Sequence, residues 1–171
     1  VPIGDPKRLP NECAHSKKYA KWHGVTMMTL DPNFRELLRL LNSAGVRFMV
    51  LGGYAVNFHG YHRNTADIDI WIAFDPENLN RVVKALHDFG IASVGPTTFT
   101  KRGDIIRFGR QPLRVDILTN PTGIEFENCF PRKVEAEFDG VLIPFIALED
   151  LKVNKKAAGR LKDLADIEGL P

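Results

Sequence analysis

The chain has 171 residues, 44% of them hydrophobic, which suits one domain with a sizeable core and leaves too little length for two. No apolar run approaches the ~20 residues that cross a membrane, and two distant cysteines, Cys13 and Cys129, form neither a disulfide framework nor a zinc motif, so a reducing cytoplasm is expected. Residues 1–27 carry five Lys/Arg against Asp5 and Glu12, leaving 18 basic and 19 acidic residues in the body, which excludes a broad basic face for duplex DNA.

Residues 1–27 show no periodicity and are read as an irregular tail ahead of a single domain over 28–171. Asp31 and Pro32 then supply a helix start, Phe34, Leu37, Leu38 and Leu41 an apolar stripe, and Gly45 a stop. Val46 to Leu51 reads as a strand, Gly52-Gly53 as a turn, and Tyr54 to His59 as a short helix closed by Gly60. Asp67 to Ile72 alternates strictly, with Ile68, Ile70 and Ile72 on one face and Asp67, Asp69 and Trp71 on the other. Asp75-Pro76 caps a helix with Leu79, Val82, Val83 and Leu86 inward, ended by Gly90. Strands are expected at Ile105–Phe108 and Leu113–Leu118, and Asp139-Gly140 marks a hairpin between 133–138 and 141–146. Two helical stretches, about 148–158 and 160–169, end the chain. Together these give an α/β domain: a mixed, twisted central sheet, helices packed mainly on one face, and a C-terminal helical pair.

Chemistry concentrates on Asp67 and Asp69. Residues i and i+2 of a strand point to one side ~6.5–7 Å apart, so both carboxylates can converge on hard cations. Phosphoryl transfer uses such a pair because two Mg²⁺ ions activate the attacking oxygen and neutralise the leaving pyrophosphate. Taken alone the pair reads equally as a solvated strand face. Two features change that weighting. Gly52-Gly53 lets backbone N–H groups approach a triphosphate beside a helix start, unless it is merely a tight turn. Asp116 interrupts the apolar run Val115, Ile117, Leu118, an expensive position for an acid that is neither paired nor metal-bound.

The run from Leu51 to Ile70, Leu-Gly-Gly-Tyr-Ala-Val-Asn-Phe-His-Gly-Tyr-His-Arg-Asn-Thr-Ala-Asp-Ile-Asp-Ile, resembles the signature of the polymerase-β-type nucleotidyltransferase superfamily. The Arg63-x-Thr65-x-Asp67-x-Asp69 variant and the C-terminal pattern of Lys155, Arg160, Asp163 and Asp166 resemble most closely its AbiEii-like branch of bacterial toxins. The resemblance implies Asp67, Asp69 and Asp116 as metal-binding and catalytic acids. It implies Gly52, Gly53, Arg63, Thr65 and Lys155 as nucleotide-side residues, with Mg²⁺ (or Mn²⁺) as cofactor and a nucleoside triphosphate as substrate. Many members have a serine where Gly53 stands, so a hydroxyl contact to the triphosphate is missing at that position.

The expected reaction is transfer of a nucleoside monophosphate to an acceptor hydroxyl on an RNA or tRNA end or a protein, in a toxin–antitoxin pair with a cognate partner. The alternatives are an inactive relative kept as antitoxin or binding module, and an enzyme that modifies a small antibiotic. Lys152, Lys155 and Lys156 share a helical face that could meet triphosphate or RNA, or pair with nearby acids. His59 and His62 could act in acid–base chemistry, Trp71 could stack on a base, and Tyr54 could accept a nucleotide. Ordinary hydrogen bonding and packing account for the histidines and Trp71 more simply.

Overall fold

Asp31 starts the first helix by accepting from the Asn33 N–H at 2.8 Å, and Pro32 fits the first turn, where no N–H is needed. The resulting α1 (Pro32–Ser43) turns Phe34, Leu37, Leu38 and Leu41 inward and stops before Gly45, whose φ is +68°. The computed structural model describes residues 30–95, 97–110 and 113–171. The expected tail over 1–27 lies outside the described residues.

After α1 the order is β1 (Phe48–Leu51), α2 (Gly52–Phe58), β2 (Asp67–Ile72), α3 (Pro76–Asp88), β3 (Ile105–Arg110) and β4 (Leu113–Leu118). There follow α4 (Phe126–Cys129) with a 3₁₀ turn at Phe130–Arg132, β5 (Val134–Phe138), β6 (Val141–Phe145), α5 (Leu148–Ala158) and α6 (Leu161–Gly169). Asp75 caps α3 on the Asn78 N–H at 2.9 Å. Gly52-Gly53 departs from the expected separate turn, because the helix begins on the glycines themselves. Asp139 and Gly140 both have positive φ, +49° and +78°, which suits the twist of the β5–β6 hairpin.

The six strands of the described residues form one mixed sheet in the order β3-β4-β2-β1-β6-β5. The pairs β2/β4 and β1/β6 are parallel and the other neighbours antiparallel. Fold class is thus as the sequence implied. By register, Phe48, Val50, Ile68, Ile70, Ile72, Val115 and Ile117 share one face, and all are buried. The opposite face is divided. At one end Met49 and Trp71 are buried, Trp71 meeting Phe126 edge-on at 5.1 Å; at the other end stand the acids. The apolar end anchors β2 on both faces, so its acidic end is held on a rigid strand.

Candidate active site

The parallel pairing of β2 with β4 sets Asp67 opposite Arg114 and Asp69 opposite Asp116. Directly opposed residues of neighbouring strands project to the same side, across ~4.8 Å. Asp67, Asp69 and Asp116 therefore stand on one face. On the other flank β1 pairs Leu51 with Asp69, which brings Gly52 against the same carboxylate. A Cβ built on Gly52 would overlap Asp69 Oδ2, and its φ of +61° disfavours any side chain. The glycine at this point is thus required twice over. We expect Gly52→Ala to destabilise the protein by about 1–3 kcal/mol and to displace Asp69. Chemical denaturation checks the first effect, and an unchanged midpoint would contradict it.

The electrostatics of the face are those of crowded anions. Burial, with repulsion from Asp116 and Asp67, raises Asp69 to about 6, while Lys162 and Lys155 pull the other way. Asp116 accepts from Arg107 Nε at 2.9 Å and Nη2 at 3.2 Å, and this pairing holds the Arg107 guanidinium even more firmly protonated. Arg114 Nη2 donates to Asp67 Oδ2, and Arg114 Nε stands 3.3 Å from Asp116 Oδ1. Asp67 Oδ1 is buried without a hydrogen-bond partner.

The Asp69 shift has a sign that can be tested. Its carboxyl holds a proton more tightly folded than unfolded, so between pH 3.8 and about 6 the folded state binds more protons, and its contribution to stability falls as pH rises through that window. Asp69→Asn removes this slope. Unfolding midpoints of the two proteins should therefore diverge from pH 4 to pH 6.5 in favour of the variant; parallel curves would refute the assignment.

The loop before β2 supplies the second wall. A Cβ on Gly53 would overlap Thr65 Oγ1 and come within 3.3 Å of Arg63 Nη2. The Thr65 hydroxyl thus occupies the volume that a serine at position 53 would fill, and it donates to the Asp67 carbonyl at 3.2 Å. Asn57 clamps Arg63 through two hydrogen bonds of 2.9 Å, its Oδ1 accepting from the Arg63 N–H and its Nδ2 donating to the Arg63 carbonyl. The Arg63 guanidinium is held 2.7 Å from Asp166 Oδ1.

Lys155 lies behind this wall. It is only 4% exposed, 3.1 Å from Asp163 Oδ1 and 2.7 Å from Asp166 Oδ2. Burial works to raise Asp163, but hydrogen bonds from Arg160 and Lys155 outweigh it and hold the carboxyl below its ordinary range. Lys152 meets the Pro171 carbonyl and Glu149 instead, so the lysines at 152, 155 and 156 do not form one ligand-facing row.

Other singled-out residues have ordinary surroundings. His59 Nε2 is 2.7 Å from the Ile146 carbonyl, and burial lowers its pKa. Tyr54 is buried edge-on to Phe34, and burial raises its phenol. A cleft lined by Thr122, Glu125, Asn128, Cys129, Arg132 and Asp150 lies beyond the C-terminal end of β4, away from the acids.

As the side chains stand, no three His, Cys, Asp or Glu groups among the described residues converge on a common cation position. The donor chemistry nevertheless fits a hard divalent cation. The acids are carboxylates on one face, Asp67 keeps a buried oxygen without a partner, and Asp69 is disfavoured as a lone anion. What fills the space between them is guanidinium. Sequence reasoning missed Arg107 and Arg114 as partners of the acids. Arg114 was within reach, two residues before Asp116 on one strand; Arg107 needed the β3–β4 register, which sets it opposite Asp116.

Comparison with known proteins adds three findings. A family model described as "Nucleotidyl transferase of unknown function (DUF2204)" matches residues 31–170. The fold is similar to that of TM1012 from Thermotoga maritima, a candidate nucleotidyltransferase, with TM-score 0.51 and 16% identity over 78% of this chain and 87% of that one. It is also similar to the lincosamide antibiotic adenylyltransferase LnuA in its lincomycin-bound form, with TM-score 0.51 and 18% identity over 82% of this chain and 95% of that one. No curated protein matches the chain.

Proposed function

The chain belongs to the nucleotidyl transferase family whose model spans residues 31–170, and from that premise we propose a metal-dependent transfer of a nucleoside monophosphate from a nucleoside triphosphate to an acceptor hydroxyl. The observation that carries this reading is the β2/β4 register, which stacks Asp69 against Asp116 with Asp67 on the same face and the partnerless Asp67 Oδ1 among them.

Asp67 and Asp69 are the residues that would hold Mg²⁺, with Asp116 completing the set. Bound there, the cation supplies charge neutralisation for the triphosphate and lowers the pKa of an acceptor hydroxyl. Asp116 would also accept the acceptor's proton once its arginine partners are repositioned. Gly53 makes room for Thr65, whose hydroxyl stands where a side chain at position 53 would otherwise be and would turn to a phosphate on releasing the Asp67 carbonyl. Arg63 offers the guanidinium nearest that turn, oriented by Asn57 and Asp166. Lys155 acts through Asp166 and Asp163 as a positioning residue, its ammonium being used up inside the protein.

Among acceptors, the exposed Arg110 at the end of the edge strand β3 opposite Leu113, on the same side of the sheet's edge as the start of β4, favours an anionic acceptor such as an RNA end over a protein hydroxyl or a small neutral antibiotic. The AbiEii-like residue pattern extends this proposal to a toxin with a cognate antitoxin, working in the cytoplasm.

One observation favours a second reading, a catalytically silent binding module: Arg114 and Arg107 occupy the acids. Incubation with each labelled nucleoside triphosphate, Mg²⁺, total cellular RNA and total protein separates the two. Label is expected in the RNA fraction; no transfer to RNA or protein would remove the polyanion reading and favour the silent module.

A further inference from the structure

Arg114 is opposite Asp67 in the sheet and two residues from Asp116 along β4, so it shares their face and cannot avoid both carboxylates. Its guanidinium reaches each of them, through Nη2 to Asp67 and through Nε at 3.3 Å to Asp116. The contact is incomplete: Nε has no hydrogen-bond partner, Asp67 Oδ1 has none either, and the Arg114 side chain remains 30% exposed. Asp116 keeps Arg107 when Arg114 is taken away. Of the two guanidiniums that face the three carboxylates, Arg107 grips Asp116 through both oxygens, whereas Arg114 is the incompletely bonded one that bridges Asp67 and Asp116.

We propose that Arg114 is an exchangeable counterion, pairing with Asp67 and Asp116 while no cation is bound and turning to the nucleotide's polyphosphate when a divalent cation takes those carboxylates. This rests on the nucleotidyl-transfer reading of the site. A compact double charge displaces a diffuse single one from carboxylate oxygens, and the released guanidinium has the planar fork that matches phosphate oxygens. Arg114 thereby couples the two ligands. The nucleotide-free protein binds free cation weakly because Arg114 competes for the same oxygens, and nucleotide binding relieves that competition by giving the guanidinium another partner; by reciprocity the cation assists the nucleotide. The device keeps the acids neutralised at rest and opens them only with a triphosphate at hand.

The test measures binding rather than turnover. Mn²⁺ is titrated into the nucleotide-free protein by electron paramagnetic resonance, and the Mg²⁺ complexes of the four α,β-methylene nucleoside triphosphates are titrated by calorimetry. Arg114→Gln is expected to bind Mn²⁺ about tenfold more tightly than the unaltered protein and the best-bound analogue about tenfold more weakly, each a loss of roughly one charge-assisted pairing. Arg114→Lys, which keeps the charge and guards against a folding artefact, is expected to stay within about threefold of the unaltered protein for Mn²⁺. Mn²⁺ affinity unchanged in Arg114→Gln, while Asp67→Asn abolishes binding, would overturn the exchange and leave the cation site standing. Tighter Mn²⁺ with undiminished analogue binding would make Arg114 a fixed plug and also overturn it. Mn²⁺ binding indifferent to Asp67→Asn in every protein would remove the cation site itself, and the nucleotidyl-transfer reading with it.

Discussion

Replacing Asp67 and Asp69 together by asparagine is expected to lower nucleotide transfer by on the order of 10³-fold or more, because the lost charge stabilisation amounts to several kcal/mol of the barrier. The fold should survive. Asp69 sits against two other acids, so its neutralisation relieves repulsion, and the apolar end of β2 is untouched. Circular dichroism and an unfolding midpoint no lower than that of the unaltered protein would establish this, and transfer measured on the RNA fraction gives the activity. Transfer within tenfold of the unaltered protein would end the mechanism proposed for these acids. A large loss accompanied by unfolding would not bear on it, which is why asparagine is chosen over alanine: it keeps the volume and one acceptor oxygen while removing the charge.

The second large effect is expected at Lys155, and it is one of stability. Lys155, Asp163 and Asp166 are 4%, 0% and 2% exposed, and they tie α5 to α6. Lys155→Met leaves two buried carboxylates short of a cation, with Arg160 and Arg63 as their remaining partners. Breaking a buried pair from one side costs about 3–5 kcal/mol, a large share of the ~5–15 kcal/mol that holds a domain folded. A urea midpoint lower by roughly 2 M is the expected readout. A shift below about 0.5 M would show the cluster to be better solvated than its geometry implies. The loss should reach the site through Asp166, which orients Arg63 beside Gly53. The variant is therefore expected to bind nucleotide more weakly even under conditions where it is folded.

The two variants separate two uses of the same residue type. Asp67 and Asp69 stand at the end of a strand with incomplete protein partners, and one of them is held as a poor anion. Asp163 and Asp166 are surrounded by cations, and Asp163 is held as a good anion. Environment makes the distinction, since the side chains are identical.

The order of most elements and the common face of Asp67 and Asp69 were legible in the sequence because they depend on local periodicity. Strict alternation over Asp67–Ile72 is enough to put both aspartates on one face, and the proline and aspartate caps mark α1 and α3. Gly52 stands out as a glycine, although the reason for it is not visible along the chain: the residue it must spare is Asp69, seventeen positions later. The short α4 escapes a sequence reading because four residues carry no periodicity. The likeness of Lys155 to a ligand-facing lysine comes from pattern alone, and pattern says nothing of burial.

Sequence by itself determined the strand carrying Asp67-Ile68-Asp69, the strand carrying Asp116, and the glycine pair between β1 and α2, since each follows from residue type and spacing within one element. Only the tertiary structure decided which groups answer those acids. Arg107 and Arg114 meet them through the pairing of β3, β4 and β2, Thr65 fills the space left by Gly53, and Lys155 is drawn inward by Asp163 and Asp166. The reason is physical. Periodicity fixes a side chain's direction relative to its own backbone, whereas partners for a charge are set by strand register and helix packing, which sum over contacts between distant parts of the chain.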